Sequence, residues 1–135
     1  MTILTGPALA WEARFGAVCE LIYEGEPATV RVIYDPAVPE YSISVTTSDP
    51  WGDSPIFGMR FDGPRQSLIT TDRHVRSDGG ATVTVTDRGF GNVLDGLEFN
   101  AVATALLGNQ AVSVPLEGAA PAVREFRACA SGVGV

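Results

Sequence analysis

Lysine is absent from the 135-residue chain, and all nine basic residues are arginines, scattered from Arg14 to Arg127. Sixteen acidic residues bring the formal net charge to −7. Nucleic acids and anionic membrane surfaces are bound by clustered positive charge. The sequence therefore predicts neither a nucleic-acid partner nor a charged membrane surface as partner.

Long apolar runs are also missing. A membrane-spanning helix needs roughly 18 or more consecutive apolar residues, and no stretch reaches that length. Residues 1–10, MTILTGPALA, are apolar, contain Gly6-Pro7 and end in Ala8-Leu9-Ala10, which is typical of the last part of a secretory signal peptide. We interpret them as the remnant of a leader that lacks its basic start, with Trp11 as the first mature residue. The alternative is an ordinary first strand over residues 2–4.

Cysteine occurs only twice, as Cys19 and Cys129. In an exported chain two cysteines most simply form one disulfide, which here would close a loop of about 110 residues. The alternative is a pair of buried free thiols in a cytosolic protein. The spacing is not C-x-x-C, so neither a zinc site nor a thioredoxin-type redox pair is predicted.

Histidine occurs once, as His74 between Asp72 and Asp78. No G-x-S-x-G motif accompanies it, and neither cysteine lies in a nucleophile motif. On a strand, Asp72 and His74 would point to one face, where they could hold a metal weakly or serve a small hydrolase with a serine such as Ser77. The favoured interpretation is a polar surface hairpin, without catalytic residues, metal or cofactor.

The residue patterns that the chain does contain are mainly those of β-strands. Alternating apolar and polar residues predict strands over residues 17–23, 28–34, 40–47, 56–61, 67–72, 81–87 and 111–116. Ser77-Asp78-Gly79-Gly80 is the strongest hairpin signal. Helical spacing predicts helices over 97–108 and 120–130. We therefore expect one mainly β domain over residues 11–130, followed by a flexible tail over 131–135. Its fold would be an antiparallel β-sandwich or partly closed barrel of six or seven strands with two short C-terminal helices.

Two glycine-containing segments are candidate sites. DRGFGNVLDGLEFN, residues 87–100, places Asp87, Asp95 and Glu98 at positions 1, 9 and 12 of a calcium-binding loop, but positions 3 and 5 are glycines. We therefore interpret it as a glycine turn, shaped by backbone demands at its glycines, and a helix with Asp95 near its N-terminus. In the loop at 48–57, Trp51 is either an exposed binding anchor or a cap on the core, and Asp53 and Phe57 accompany it as candidate binding residues.

The chain resembles small exported proteins of alphaproteobacteria and, at a distance, the invasion-associated locus B family. The residues that carry the resemblance are Trp11 shortly before Cys19, the β-rich middle, and a small-residue helix that ends at Cys129. The family has further cysteines in the middle that this chain lacks. The resemblance implies an exported β domain and provides no catalytic residues.

Together these features predict a periplasmic or secreted protein that is not an enzyme. We expect a binding or accessory module whose partner is a protein or an envelope component, with Trp51, Asp53, Phe57, Asp72 and His74 as candidate contact residues. Two other functions stay open: an inhibitor that blocks an exported enzyme through a rigid loop at 48–57, and a small hydrolase that uses His74.

Overall fold

A computed structural model describes residues 10–132. Ten strands form two antiparallel sheets: β1 (Trp11–Phe15), β2 (Cys19–Tyr23), β3 (Ala28–Asp35), β4 (Glu40–Thr47), β5 (Phe57–Asp62), β6 (Ser67–Thr71), β7 (Val75–Ser77), β8 (Thr82–Asp87), β9 (Val102–Leu107) and β10 (Gln110–Pro115). The large sheet has the order β1-β2-β3-β4-β8-β7, and the small sheet has the order β10-β9-β5-β6. The predicted mainly β architecture is confirmed. Of the two predicted forms, a sandwich and a partly closed barrel, the structure has the sandwich.

The alternation of residue types decides which face of each strand is buried. Val30 and Val32 on β3, with Ile43 and Val45 on β4, lie in the core between the sheets. The opposite face of the large sheet is polar, and hydroxyl groups bond across it, with Thr46 Oγ1 lying 2.8 Å from Thr82 Oγ1. One buried and one polar face are what an alternating antiparallel strand requires.

The predicted SDGG hairpin is confirmed. Asp78, Gly79 and Gly80 have φ angles of 55°, 67° and 92° and form a short 3-10 turn between β7 and β8. Glycine reaches positive φ without steric conflict, and aspartate tolerates it. The sequence therefore contains the residues that this turn demands.

Two helices complete the fold, α1 (Gly91–Glu98) and α2 (Ala119–Ala130). The structure confirms the predicted terminal helix, whose apolar face, including Val123 and Phe126, is fully buried. The prediction of a helix over 97–108 is wrong, because α1 ends at Glu98 and residues 102–107 form β9 between β5 and β10. Pairing on both sides satisfies the backbone of β9, and it overrides the helix propensity of the Ala-Leu segment.

The strand number differs from the predicted six or seven because three strands lack a strong pattern. β1 carries the charged Glu12 and Arg14, β7 is only three residues long, and β9 has an alanine- and leucine-rich sequence that also suits a helix. Short or charged strands of this kind form because a neighbouring strand pairs with them, and a single-strand pattern does not reveal that partner.

The predicted disulfide is present: Cys19 on β2 is bonded to Cys129 on α2 across a sequence separation of 110 residues. At the other end of the β1-β2 pair, the Trp11 side chain donates a 2.8 Å hydrogen bond from Nε1 to the Pro115 carbonyl, which joins β1 to the end of β10. The disulfide and this bond therefore connect the first two strands to the C-terminal part of the domain.

The proposed leader, apart from Ala10, lies outside the described residues, as do residues 133–135 of the predicted tail. Among the helices that the structure describes, neither is long and apolar enough to cross a membrane.

Candidate functional site

A cavity of about 420 Å³ lies between the two sheets, at the end of the sandwich where β8 stops and α1 begins. We call it the inter-sheet cavity. Its walls are mainly apolar and its mouth is polar, with Thr71, Arg73, Asp87 and Asn92 around the opening. The apolar wall is formed by Ile43, Phe57, Met59, Ile69, Val85, Phe90 and Val93. A concave apolar volume of this size with a few polar groups at its rim is the usual form of a ligand site.

The cavity exists because strands end there. β7 pairs with β8 only at Thr82, Val83 and Thr84, so in the described chain Val85 to Asp87 have β4 as their one neighbouring strand. Opposite them, β6 is the edge of the small sheet and pairs with β5 alone. Between these two edges, no further strand of the described residues covers the inner faces of the sheets.

Phe57, one of the candidate binding residues, lies on the cavity wall and is 2% exposed. Its ring is 6.4 Å from the ring of Trp51 and 6.1 Å from that of His74, measured between centroids. Of the two interpretations of Trp51, the structure has the core cap: the side chain is 1% exposed and donates from Nε1 to the Val45 carbonyl. Trp51 therefore does not project from the surface as an anchor.

His74 and Asp72 lie in the connection between β6 and β7, so the expectation that they share one face of a strand is wrong. His74 Nε2 is 2.8 Å from the Ser54 carbonyl oxygen, to which it donates. Asp72 is exposed, and no hydrogen bond joins the two side chains in the described chain. His74 therefore contacts the 48–57 loop through the Ser54 carbonyl, and in the described chain no carboxylate is hydrogen-bonded to its ring.

The loop before β5 is fixed at several points. The Trp51 amide donates to the Gly80 carbonyl at 2.7 Å, and Arg76 Nη1 donates to the Trp51 carbonyl at 3.0 Å. Gln110 accepts from the Gly52 amide and donates to the Pro50 carbonyl. Asp53, another candidate binding residue, is exposed on this loop. The loop thus presents its exposed side chains on a backbone that is held from three sides.

The carboxylates of residues 87–100 do not meet at one point. Asp95 accepts a 2.7 Å hydrogen bond from Arg127 Nη2, and Glu98 lies 3.4 Å from Arg127 Nε. Asp87 is instead at the cavity mouth, 3.8 Å from Arg73 Nη2. Within residues 10–132, no group of three or more His, Cys, Asp or Glu residues is placed to hold a metal ion.

The interpretation of this segment needs two corrections. Asp95 is in the second turn of α1, where it joins α1 to α2, and not at the helix N-terminus. A Cβ at Gly96 would lie 2.4 Å from the Phe61 ring, whereas one at Gly89 or Gly91 would meet nothing within 4 Å. Close packing at Gly96, and not backbone conformation at all three positions, therefore explains the need for glycine.

A second depression, of about 470 Å³, lies beside the inter-sheet cavity along β6. It is lined by Arg65, Ser67, Leu68, Ile69, Asn92, Asp95 and Gly96, so that it shares Ile69 and Asn92 with the cavity. Sequence reasoning missed Arg65, Ile69, Arg73 and Asn92 as site residues. The uncharged strand SLITT was a weak signal, but its position at a sheet edge could not be read from the sequence.

Comparison with protein-family models, curated proteins and solved structures finds no match to this chain. The resemblance to the invasion-associated locus B family therefore stays a prediction, and the function has to be argued from the geometry of the site.

Proposed function

We propose that the chain is an exported, non-enzymatic binding module that takes an apolar group of a protein or envelope partner into the inter-sheet cavity. The observation that carries the proposal is the cavity itself, an apolar volume between two uncovered strand edges with polar groups confined to its mouth. An apolar group that leaves water for such a volume contributes roughly 25 cal/mol for each Å² of apolar surface that it buries.

The disulfide supports export, because a disulfide persists in the periplasm or outside the cell and is rare in the cytosol. The net charge of −7 disfavours a nucleic acid or an anionic membrane surface as partner, because both are bound by clustered positive charge. The arrangement around His74 supports binding over hydrolysis, because its Nε2 is already occupied by the Ser54 carbonyl.

A blocking substitution tests the proposal. Ile69 lies on the cavity wall and is half-buried, so Ile69→Trp should fill the cavity. Ser113 is exposed on β10 at the opposite edge of the same sheet, and Ser113→Trp is the matched control. We expect the wild-type chain and Ser113→Trp to bind the neutral fluorescent dye N-phenylnaphthylamine saturably and Ile69→Trp to lose that binding, with circular dichroism confirming the fold of each variant.

The same three proteins should then be used to capture partners from the detergent-solubilised envelope fraction of the source organism. A partner that binds the cavity is retained by the wild-type chain and by Ser113→Trp and is lost with Ile69→Trp. Equal dye binding and equal capture by all three proteins would contradict the proposal.

One observation favours the inhibitor as a second candidate: the 48–57 loop is held rigidly and exposes Ile56, which is 50% accessible. A rigid loop binds with a smaller loss of conformational entropy than a flexible one. If Ile56→Asp removes capture while Ile69→Trp leaves it intact, the loop and not the cavity is the contact surface.

A further inference from the structure

The four edges of the two sheets are protected to different degrees. β1 carries Glu12 and Arg14, β7 has only three residues and carries Arg76, and β10 ends in Pro115. Charges, prolines and short length are the means by which natural sheets prevent pairing with another chain. β6, with the sequence Ser-Leu-Ile-Thr-Thr, has five residues without charge or proline. Among the strands of residues 10–132, it is therefore the edge that is open to a further strand.

Two adjoining depressions lie along this edge. The inter-sheet cavity and the second depression meet at Ile69 and Asn92, with β6 on one side and the first residues of α1 on the other. We call the combined surface the β6 groove. An extended chain that lies in it would face the backbone N–H and C=O groups that β6 does not use in pairing with β5.

The ends of the β6 groove carry positive charge in an otherwise acidic protein. Arg65 lies two residues before β6 and Arg73 two residues after it, and each lines one of the depressions. In the part of the chain that the structure describes, no carboxylate lies within 4.0 Å of the Arg65 guanidinium, and Arg73 has only Asp87 at 3.8 Å. The Asp95 carboxylate on the groove is compensated by Arg127 at 2.7 Å.

We propose that an acidic, extended peptide segment of a partner protein adds to β6 as a fifth strand of the small sheet. Its backbone pairs with the free edge of β6, an apolar side chain enters the inter-sheet cavity, and acidic side chains near its two ends meet Arg65 and Arg73. Arg65 and Arg73 are eight positions apart, which corresponds to about 27 Å of extended chain, so a segment of about eight residues spans the groove. This inference rests on the proposed function and names the chemistry of the partner.

Charge also distinguishes this occupant from a second copy of the chain. Two copies that paired through β6 about a twofold axis in antiparallel register would bring Arg65 of each copy towards Arg73 of the other. Like charges placed opposite each other destabilise strand pairing. An amphiphilic small molecule, in turn, would fill the cavity but leave the backbone groups of β6 unpaired.

The test is selection from a random library of linear peptides of about eight residues, with the disulfide-bonded full chain as bait. We expect selected peptides to have apolar residues at alternate positions and Asp or Glu near their ends. N-methylation of single peptide amides should then abolish binding at every second position and leave it unchanged between, because only alternate amides face β6.

Charge variants provide the second arm of the experiment. Arg65→Gln and Arg73→Gln should each weaken peptide binding by roughly two- to fivefold, the scale of an exposed charge pair. Arg31→Gln, on the outer face of β3, is the matched control and should leave the affinity unchanged.

Three results would overturn strand addition: no peptide is selected, N-methylation acts without alternation, or sedimentation shows self-association that Ile69→Trp removes. If dye binding and envelope capture still depend on Ile69 when no peptide binds, only this inference fails and the proposed function stands. If neither dye binding nor envelope capture depends on Ile69, the proposed function and the inference of strand addition both fail.

Discussion

Individual residues of α1 show how packing selects amino acids that sequence patterns do not explain. Three glycines lie in residues 87–98, yet the structure needs only Gly96 for space, because the Phe61 ring lies against it. Arg127 has a comparable role between the helices, since it contacts both Asp95 on the surface and Glu98, whose side chain is 9% exposed. Arg127 donates a hydrogen bond to Asp95 and places its charge 3.4 Å from the Glu98 carboxylate, so that this largely buried carboxylate has a counter-ion.

Gly96→Ala should destabilise the protein by about 1 to 3 kcal/mol, since the new methyl group would push Phe61 out of a fully packed core. Gly91→Ala in the same helix is the matched control. It should be neutral or stabilise the fold by up to about 1 kcal/mol, because its Cβ meets open space and alanine favours the helix. Urea unfolding measures both, and equal midpoints for the two variants would contradict the packing argument.

Tyr41 predicts a pH dependence of stability. Burial raises the pKa of its hydroxyl, the neighbouring Tyr34 raises it further, and Arg127 opposes the shift. The folded state thus holds the tyrosine proton more tightly than the unfolded state, so the stability that this group contributes is fully present below the ordinary tyrosine pKa and is lost as pH rises above it through the raised pKa of the folded state. Between about pH 9 and pH 11, Tyr41→Phe should lose less stability than the wild-type chain. Urea unfolding of the wild-type chain and of Tyr41→Phe at both pH values tests this. An equal loss of unfolding free energy in the two proteins would refute it.

At the scale of elements, local pattern predicted most strands but not their neighbours. Apolar and polar residues alternate along β3, β4 and β8, and these strands match their expected ranges. A strand with one buried face shows this alternation in its own sequence. The segment at 102–107 has the alternation of Ala103, Ala105 and Leu107 towards the core, but its alanines and leucines also suit a helix. The partners β5 and β10 decide between the two, and they come from distant parts of the sequence.

The candidate site was largely beyond prediction for the same reason. The inter-sheet cavity depends on β8 lying next to β4 and on β6 forming an edge, and both are long-range facts of topology. Of the five candidate binding residues, only Phe57 lines the cavity. The rings of Trp51 and His74 lie 6.4 Å and 6.1 Å from the Phe57 ring, and Asp53 and Asp72 are exposed in loops. Residue chemistry drew attention to Phe57 on the cavity wall, but not to the other residues that line the cavity and the β6 groove.

The 48–57 loop gives a prediction at this scale. Gln110 on β10 bonds to both Gly52 and Pro50, so Gln110→Ala should release the loop and speed hydrogen exchange of the Gly52 amide. The Gln66→Ala variant is the control, because Gln66 bonds to Asp62 and does not touch the loop. Unchanged exchange at Gly52 in the Gln110 variant would show that the loop is held by its other contacts alone.

For the whole molecule, the Cys19–Cys129 bond is the main long-range constraint. Replacement of both cysteines by serine should lower the free energy of unfolding by about 2 to 5 kcal/mol, because the unfolded chain is no longer closed into a long loop. Reductant should bring the wild-type chain to the same stability and add two hydrogen atoms to its intact mass. An intact mass that does not change on reduction would show that the bond is absent in solution.

The same bond has a mechanical consequence. A force applied to the two chain ends can peel β1 from β2, because β1 lies outside the covalent ring, but at Cys19 and Cys129 the disulfide carries the force. Only the segments outside the ring can then lengthen, whereas reduction would release 110 residues, or about 380 Å of extended chain. In the oxidised state the part of the domain between the two cysteines therefore behaves as an inextensible link, so that a partner held in the β6 groove would keep its binding site even if the chain were pulled from both ends.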